Sequence, residues 1–330
     1  MSELALAAFA AETGDHVVEE PRERRFERFC RAFDESAYRT GLSTRGLRFV
    51  GRRDRGYPSL LRELHDAPAG LFVRGTTDVE LLARPAVAIV GARACSSYGG
   101  QVARLLGREL ADVGLVVISG LARGVDGEAH RGALEANGAT VAVLGCGIDR
   151  DYPAAHGQLA AKICERGLVV SEYAPGVEPA PWRFPARNRV IAGLAAATVV
   201  VEARERSGAL ITADFALEAG REVFAVPGEI TSSLSSGTNA LLRVGATPLT
   251  TAGDVLEALG VEPAPPPEAV VGENAARLLQ ALSTEPAGVN DLVATTGLDA
   301  ATVATTLAEL ELAGVVAEAD GLYRAVRPQG

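Results

Sequence analysis

Lysine is almost absent from this chain, and several other absences are equally informative. Lys162 is the only lysine, so any phosphate would have to be bound by arginine side chains. No apolar run approaches the roughly 20 residues that a membrane-spanning helix needs, which excludes a transmembrane protein of that kind. The N-terminus carries acids and lacks the basic region of a secretory signal, so we expect a cytoplasmic protein.

The cysteines and histidines form no pattern typical of a metal centre. The four cysteines contain no C-x-x-C pair, and without an export signal they are expected to be reduced thiols. The four histidines are scattered, so we predict neither a metal site nor a cofactor. The net charge of −10 argues against nucleic-acid binding by the whole surface, but it leaves room for a local basic groove.

Short apolar runs alternate with amphipathic segments through the middle of the chain. They predict buried strands at residues 86–90, 115–119, 139–144, 168–171, 197–202 and 222–226. Such alternation indicates an α/β fold with a doubly wound, mostly parallel sheet that is covered by helices on both faces. Ligands of such sheets bind at the carboxyl ends of the strands, where the unusual turns of this chain fall.

The composition divides the chain into four parts. Residues 1–55 are rich in Arg and Glu and are predicted to form a small helical region, which is followed by the α/β core over residues 56–260. A proline-rich linker is predicted over residues 261–272. Helical patterns at 273–283, 289–296 and 300–313, with a hairpin turning at Asp320-Gly321, predict a winged-helix domain over residues 273–327.

The predicted winged helix lacks the charge that DNA binding needs. Its third helix, in the position of a recognition helix, contains Asp299, Glu309 and Glu311 and no basic residue. Docking in a DNA groove requires Arg or Lys against the phosphates. We therefore favour a protein contact or a structural role for this domain over the reading of DNA.

The segment AVAIVGARACSSYGG, residues 86–100, places a turn rich in glycine and hydroxyl groups between a buried strand and a helix. Backbone N–H groups at such a turn can hold an anion, and Arg93 adds a positive charge suited to phosphate. Neither the dinucleotide fingerprint nor the P-loop pattern is present. The segment by itself leaves a phosphate site and a tight structural turn as open alternatives.

Two later segments also join small or charged residues to strand ends. In residues 119–134, Asp126 and His130 are one helical turn apart, as in an acid–base pair. We favour the alternative in which Asp126 caps the helix and bonds to His130. In residues 181–193, arginines alternate with Trp182 and Phe184, which favours stacking of bases and pairing of phosphates over a loop whose arginines face water.

Together these motifs resemble the DprA/Smf family of DNA-processing proteins. The resemblance covers about residues 57–250 and includes VAIVGAR (87–93), SGLARGVDGEAHRGAL (119–134), FPARNRVIAGL (184–194), VVVEARERSGALITA (199–213) and SGTNALLRVGA (236–246). It implies a Rossmann-like core that binds single-stranded DNA, forms a homodimer and helps to load RecA recombinase on that DNA. The family is not known as an enzyme family, so no catalytic residue is expected.

The resemblance and the turns together predict the site. Arg93 should contact a DNA phosphate, with glycine and serine backbone around it and the F-P-x-R-N-R element lining the same pocket. The predicted DNA-binding residues are Gly91, Arg93, Ser97, Gly99, Ser119, Gly120, Arg123, Arg187, Asn188, Arg189, Ser207, Gly208, Thr238 and Asn239. The predicted dimer interface contains Leu241, Leu242 and Val244.

Two other functions remain open. A related group of lysine-decarboxylase-like proteins hydrolyses nucleotide monophosphates with a P-G-G-x-G-T-x-x-E stretch. The equivalent region here reads PGEITSSLSSGTN, in which Glu229 is the remaining candidate carboxylate. A protein-interaction scaffold, acting through the winged helix and the dimer surface, is the other possibility.

Overall fold

The computed structural model describes residues 2–14, 24–262, 272–282, 286–312, 315–319 and 321–325. The chain divides into two compact units, residues 1–262 and 263–330. Residues 263–271, which make up most of the predicted proline-rich linker, lie outside the described residues. In the part of the chain that the structure describes, no helix is both long and apolar enough to cross a bilayer.

The first unit is built on a nine-stranded sheet. Its strands are β1 (Leu47–Gly51), β2 (Gly70–Arg74), β3 (Ala86–Val90), β4 (Val116–Ser119), β5 (Thr140–Leu144), β6 (Leu168–Ser171), β7 (Ala197–Val200), β8 (Glu222–Ala225) and β9 (Thr247–Pro248). Across the sheet they lie in the order β1-β2-β6-β5-β4-β3-β7-β8-β9. Strands β3 to β9 pair in parallel, whereas β2 pairs antiparallel with both β1 and β6. The predicted mostly parallel α/β sheet is confirmed.

The six predicted strands correspond to β3 through β8, with ends that differ by at most two residues. Strands β1 and β2 were not predicted, although β1 lies within residues 1–55, where only helices were expected. Both are five residues long, and β1 includes Arg48, so it lacks the continuous apolar run of the inner strands. Strand β1 is nevertheless buried on both faces, because Val50 packs in one core cluster and Leu47 and Phe49 pack in another. Its partners in the sheet, rather than an apolar run of its own, therefore define it.

Helices cover both faces of the sheet. They are α1 (Glu3–Thr13), α2 (Arg24–Ala32), α3 (Glu35–Ser43), α4 (Ser59–Arg62), α5 (Ser97–Asp112), α6 (Val125–Glu135), α7 (Gly157–Arg166), α8 (Arg183–Leu194), α9 (Gly208–Glu218), α10 (Ser236–Arg243) and α11 (Ala252–Leu259). Val87 and Ile89 of β3 pack with α5 and α6, whereas Ala88 and Val90 pack with α8 and α9. Because alternate residues of a strand point to opposite faces, α5 and α6 lie on one face and α8 and α9 on the other.

The order of the strands reverses at β3. The next strand along the chain, β4, lies on one side of β3, while β7 lies on its other side. Helices α5 and α9, which follow β3 and β7, begin at the same edge of the sheet on opposite faces. In doubly wound folds, this reversal leaves a crevice at the carboxyl ends of the two strands, and we call it the switch point.

The second unit contains three helices and a hairpin. These are α12 (Glu273–Leu282), α13 (Val289–Thr296), α14 (Ala300–Leu312), β10 (Val316–Ala319) and β11 (Leu322–Ala325). Its core includes the fully buried Leu278, Leu292 and Val303. The predicted helices and hairpin are confirmed, and Gly321 of the predicted turn adopts a positive φ of 80°. Asp320, the other residue of that turn, lies outside the described residues.

Candidate functional site

A cavity of about 220 Å³ lies at the switch point. Four elements that are distant in sequence line it: the end of β3, the turn after β4, the first half of α8 and the start of α9. Six of the fourteen predicted DNA-binding residues lie around it, namely Gly91, Arg93, Arg187, Asn188, Ser207 and Gly208. The structure therefore brings together the arginine of the first turn, the F-P-x-R-N-R element and the turn after β7.

Arg93 and Phe184 line this cavity, and the ring of Phe184 also contacts a second aromatic ring. The side chain of Arg93 is exposed, and its guanidinium carbon lies 5.5 Å from the centre of the Phe184 ring. The Phe184 ring is in turn 5.1 Å from the ring of Tyr152, a residue that is 43% exposed. A cation held over an aromatic face, beside a second accessible ring, offers both a phosphate ligand and a surface on which bases can stack.

Arg187 supplies a second positive charge, which is buried. Its Nη1 donates to the carbonyl of Gly120 at 2.9 Å and to the carbonyl of Val143, and its Nε donates to Asn188 Oδ1 at 3.3 Å. Burial lowers the pKa of Arg187 to about 10, an effect that Asp126 opposes and the charge of Arg93 reinforces. The guanidinium remains protonated at neutral pH, so the cavity has a fixed cation in its wall.

Asp126 fixes the turn between β4 and α6. Its Oδ2 accepts hydrogen bonds from the amides of Gly120 at 3.1 Å and Ala122 at 3.3 Å. Burial raises the pKa of Asp126, while Arg187 and the two amides act in the opposite direction. Asp126 holds the turn, but the predicted helix cap is wrong, because α6 has Gly124 at its N-cap and no side-chain capping bond. The bond predicted to join Asp126 to His130 is replaced by one between His130 Nδ1 and Thr140 Oγ1, at 2.7 Å.

Two glycines allow these parts to approach one another. A Cβ on Gly120 would lie 2.6 Å from Arg187 Nη2 and 2.7 Å from Asp126 Oδ2, so a side chain there would displace the guanidinium. Gly124 has a φ of +74°, and a Cβ on it would lie 2.3 Å from the carbonyl oxygen of Ala92. The turn after β4 therefore packs directly against the backbone of the turn that carries Arg93.

The start of α9 forms the remaining wall. Ser207 caps this helix, with its Oγ accepting from the amide of Ala209 at 3.3 Å. Asn188 Nδ2 donates to the carbonyl of Gly208 at 2.9 Å, which ties α8 to this helix start. The first turn of α9 contains no acidic residue. The positive end of the helix dipole therefore adds to the charges of Arg93 and Arg187.

Two predicted DNA-binding residues have internal partners instead. Ser119 is fully buried, and its Oγ donates to the carbonyl of Ile89 at 2.6 Å. Arg189 is also buried and forms ion pairs with Asp66 at 3.0 Å and Glu172 at 2.6 Å, away from the cavity. Neither residue is exposed to a DNA strand in this conformation, so their predicted DNA contacts are not supported by the geometry.

The residues from α10 are held in the same way. Thr238 Oγ1 donates to the carbonyl of Ser235 at 3.1 Å. The amide group of Asn239 bonds to both the N–H and the carbonyl of Gly228, at 3.3 and 3.1 Å, and thereby holds the loop after β8. Ser97 and Arg123 are exposed but lie outside the cavity lining. Their DNA contacts stay predictions.

Glu202, just after β7, is not among the predicted site residues, yet it lies in the switch point. Its carboxylate accepts hydrogen bonds from the amide of Ser96 at 2.9 Å and from Ser96 Oγ at 2.5 Å. The amide of Gly99, predicted to hold a phosphate, donates instead to Ser96 Oγ at 3.0 Å. The start of α5 is thus occupied by a carboxylate of the chain itself. A single acid at the end of the apolar run ATVVVE is the signal that could have identified it.

Residues assigned to other roles lie elsewhere. Glu229, the candidate hydrolase carboxylate, is exposed and does not line the cavity. Leu241 is buried in the core of the first unit and Leu242 packs against the same cluster, whereas Val244 is 79% exposed. The dimer interface stays a prediction. Among the described residues, no cluster of three or more His, Cys, Asp or Glu side chains could hold a metal ion.

Known proteins share both units of this chain. A family model described as DNA recombination-mediator protein A matches residues 48–260, and a DprA winged helix domain model matches residues 262–321. The DNA processing protein DprA of Streptococcus pneumoniae is 48% identical over 200 residues, which are 61% of this chain and 70% of that protein.

Two solved structures resemble the fold. The X-ray structure of DNA processing protein A from Streptococcus pneumoniae aligns with a TM-score of 0.67 at 38% identity, covering 78% of this chain and 92% of that one. A structure of the Helicobacter pylori DNA processing protein A, which concerns its single-stranded DNA binding mode, aligns with a TM-score of 0.58 at 31% identity. It covers 64% of this chain and 95% of that one.

Proposed function

This chain belongs to the DprA/Smf family of DNA recombination mediators, and from that premise we propose that it binds single-stranded DNA at the switch-point cavity. The observation that carries the proposal is the convergence of Arg93, Arg187 and the start of α9 around one cavity. The chain as a whole has a net charge of −10, so a local cluster of positive groups is needed to attract a phosphate backbone.

Each group has a different task in this proposal. Arg93 is exposed and can turn its guanidinium toward a phosphate, while the buried Arg187 contributes a fixed field. Phe184 and Tyr152 offer ring faces on which bases can stack without preference for sequence. A single DNA strand, unlike a duplex, can present its bases and its phosphates to one protein surface. Such a strand could contact Arg93 with a phosphate and the rings of Phe184 and Tyr152 with its bases.

The proposal also includes the partners that the family resemblance implies. In this proposal the protein acts in the cytoplasm as a homodimer, protects incoming strands and loads RecA on them. The acidic surface of α14, with Glu309 and Glu311, supports a contact with protein rather than with DNA for the second unit. Deletion of residues 262–330 should then leave strand binding intact and abolish association with RecA. If the shortened protein still associates with RecA, the first unit makes that contact.

Neither alternative gains support from a specific observation. A nucleotide monophosphate hydrolase would need a carboxylate in the cavity that is free to act, whereas Asp126 is engaged by two backbone amides and Glu229 lies outside. Release of free base from a nucleoside monophosphate would nevertheless revive this function. A pure scaffold would show no strand binding at all.

A salt titration of two arginine variants tests the proposal. We expect Arg93→Ala to bind a fluorescent oligothymidylate about ten- to hundred-fold more weakly, because a charge-assisted contact contributes roughly 1.5–3 kcal/mol. The slope of log K against log salt should also fall by about 0.7, the value for one phosphate contact on a single strand. Arg108→Ala removes another exposed charge, from the later part of α5, and should bind as the wild type does.

Equal affinity and equal slope for wild type and Arg93→Ala would refute strand binding at the cavity. A loss of affinity of the same size in Arg108→Ala would show that only total charge matters. Each outcome is read from the same titration, with circular dichroism spectra confirming that both variants are folded.

A further inference from the structure

Glu202 ties together both ends of the turn that carries Arg93. Its backbone carbonyl accepts a hydrogen bond from the amide of Ala92 at 2.7 Å. Its carboxylate accepts two hydrogen bonds from Ser96, at the other end of the turn. Arg93 lies between these two attachment points, so the path of its backbone depends on a residue more than 100 positions later in the chain.

The carboxylate is closely enclosed where it lies. Glu202 is 4% exposed, and a Cβ on Gly99 would lie 2.3 Å from its Cδ atom. The first turn of α5 contains no acid of its own, so the positive end of this 16-residue helix faces the carboxylate. Ser96 Oγ also accepts from the amide of Gly99, which joins the carboxylate to the helix by a continuous chain of hydrogen bonds.

We propose that Glu202 is a positioning residue for strand binding, which holds the turn so that Arg93 faces the cavity. This inference rests on the proposed function and deepens it. In a sheet that binds nucleotides, the start of the first helix meets the phosphate of the ligand. In this chain Glu202 fills that place permanently, and the phosphate contact passes to the exposed Arg93.

A simple charge effect predicts the opposite result for removal of Glu202. Loss of a carboxylate near a phosphate-binding surface weakens repulsion, so it should strengthen binding of DNA. Loss of the positioning contacts should weaken binding, because Arg93 would no longer be held toward the cavity. The sign of the change in affinity therefore separates the two explanations.

The experiment measures oligothymidylate affinity in a double-mutant cycle of the full chain. Glu202→Gln retains the size of the side chain but turns an amide group toward donors, and we expect about ten-fold weaker binding. In the Arg93→Ala background the same substitution should change affinity by less than about two-fold, because it acts through Arg93. Glu257→Gln, an exposed acid in α11, is the matched control for net charge and should leave affinity unchanged.

A second variant guards against a folding defect. Ser96→Ala removes the hydroxyl partner and leaves Glu202 in place, so it should weaken binding in the same direction and add little to Glu202→Gln. Unchanged or tighter binding by Glu202→Gln, or an equal loss in the Arg93→Ala background, would overturn the positioning role. If Arg93→Ala itself binds normally, it is the proposed function that fails, and the two failures are thereby distinguished.

Discussion

Replacement of His130 by asparagine should remove much of the acid sensitivity of the first unit. His130 is fully buried, and its Nδ1 lies 2.7 Å from Thr140 Oγ1. The Thr140 hydroxyl donates its own proton to the carbonyl of Val117 at 2.7 Å, so it can only accept from His130. The ring therefore carries its proton on Nδ1, and Nε2 has no hydrogen-bond partner among the described residues.

Protonation of Nε2 would place a charge in this buried position. Burial lowers the pKa of His130 from 6.5 to about 3, and the neighbouring Arg131 and Arg187 act in the same direction. In the window between these two values, the unfolded chain binds a proton that the folded chain does not. The stabilisation is therefore complete above about pH 6.5 and is lost as the pH falls toward 3.

The size of this loss of stability follows from the pH range between the unfolded and folded pKa values of His130. Lowering the pH from 7 to 5 crosses about 1.5 pKa units below the unfolded value, at about 1.4 kcal/mol each, so the wild type should lose about 2 kcal/mol of unfolding free energy through this residue. His130→Asn can keep the donor to Thr140 and cannot titrate in this range. Its stability at pH 7 should be lower, because the smaller side chain leaves a cavity, but its loss between pH 7 and 5 should be about 2 kcal/mol smaller.

Urea unfolding at the two pH values measures this difference. Trp182 is the only tryptophan and lies in the first unit, so its fluorescence reports on that unit. His65→Gln is the control, because His65 is exposed, and it should keep the acid sensitivity of the wild type. An equal loss of stability in wild type and His130→Asn would refute the assignment of a neutral, buried ring.

The remaining predictions concern packing. Gly120→Ala should lower the unfolding free energy by about 1–3 kcal/mol and weaken strand binding, because its methyl group would meet Arg187. Gly41→Ala in α3 has no atom near its new Cβ, so it should raise the unfolding free energy by up to about 1 kcal/mol. Thermal unfolding compares the two, and shifts of the same sign would contradict the contact at Gly120. Leu278→Ala should destabilise the second unit by about 2–5 kcal/mol, while Arg277→Ala on the exposed side of α12 should change stability by less than about 0.5 kcal/mol. Calorimetry of both variants tests this, and equal midpoints would count against a core position for Leu278.

Most of the fold could be predicted because the inner strands carry a strong local signal. Strands β3 to β8 are covered on both faces, so each is a run of apolar residues that is visible in the sequence by itself. Strand β9 has only two residues, and β1 has an arginine at its second position. Their place in the sheet depends on partners rather than on their own composition, which is why the sequence pattern did not identify them.

The site could be predicted only in part, for a different reason. The positions of small residues at strand ends placed Gly91, Arg93 and Gly208 around one cavity. The pattern could not show which polar groups would be satisfied by the rest of the chain. Ser119 bonds to a neighbouring strand and Arg189 to two acids distant in sequence, so both have internal partners in this conformation. Such pairing depends on tertiary structure, which local motifs do not contain.

The short edge strand β9 restricts how two copies of this chain could join. A sheet can extend into a neighbouring molecule only where its last strand offers a row of unpaired N–H and C=O groups. Strand β9 consists of Thr247 and Pro248, and proline has no N–H to donate. This end of the sheet is therefore protected against the strand addition that leads to aggregation. A homodimer formed near α10 would have to rely on side chains such as Val244, and its strength would be open to adjustment by single substitutions.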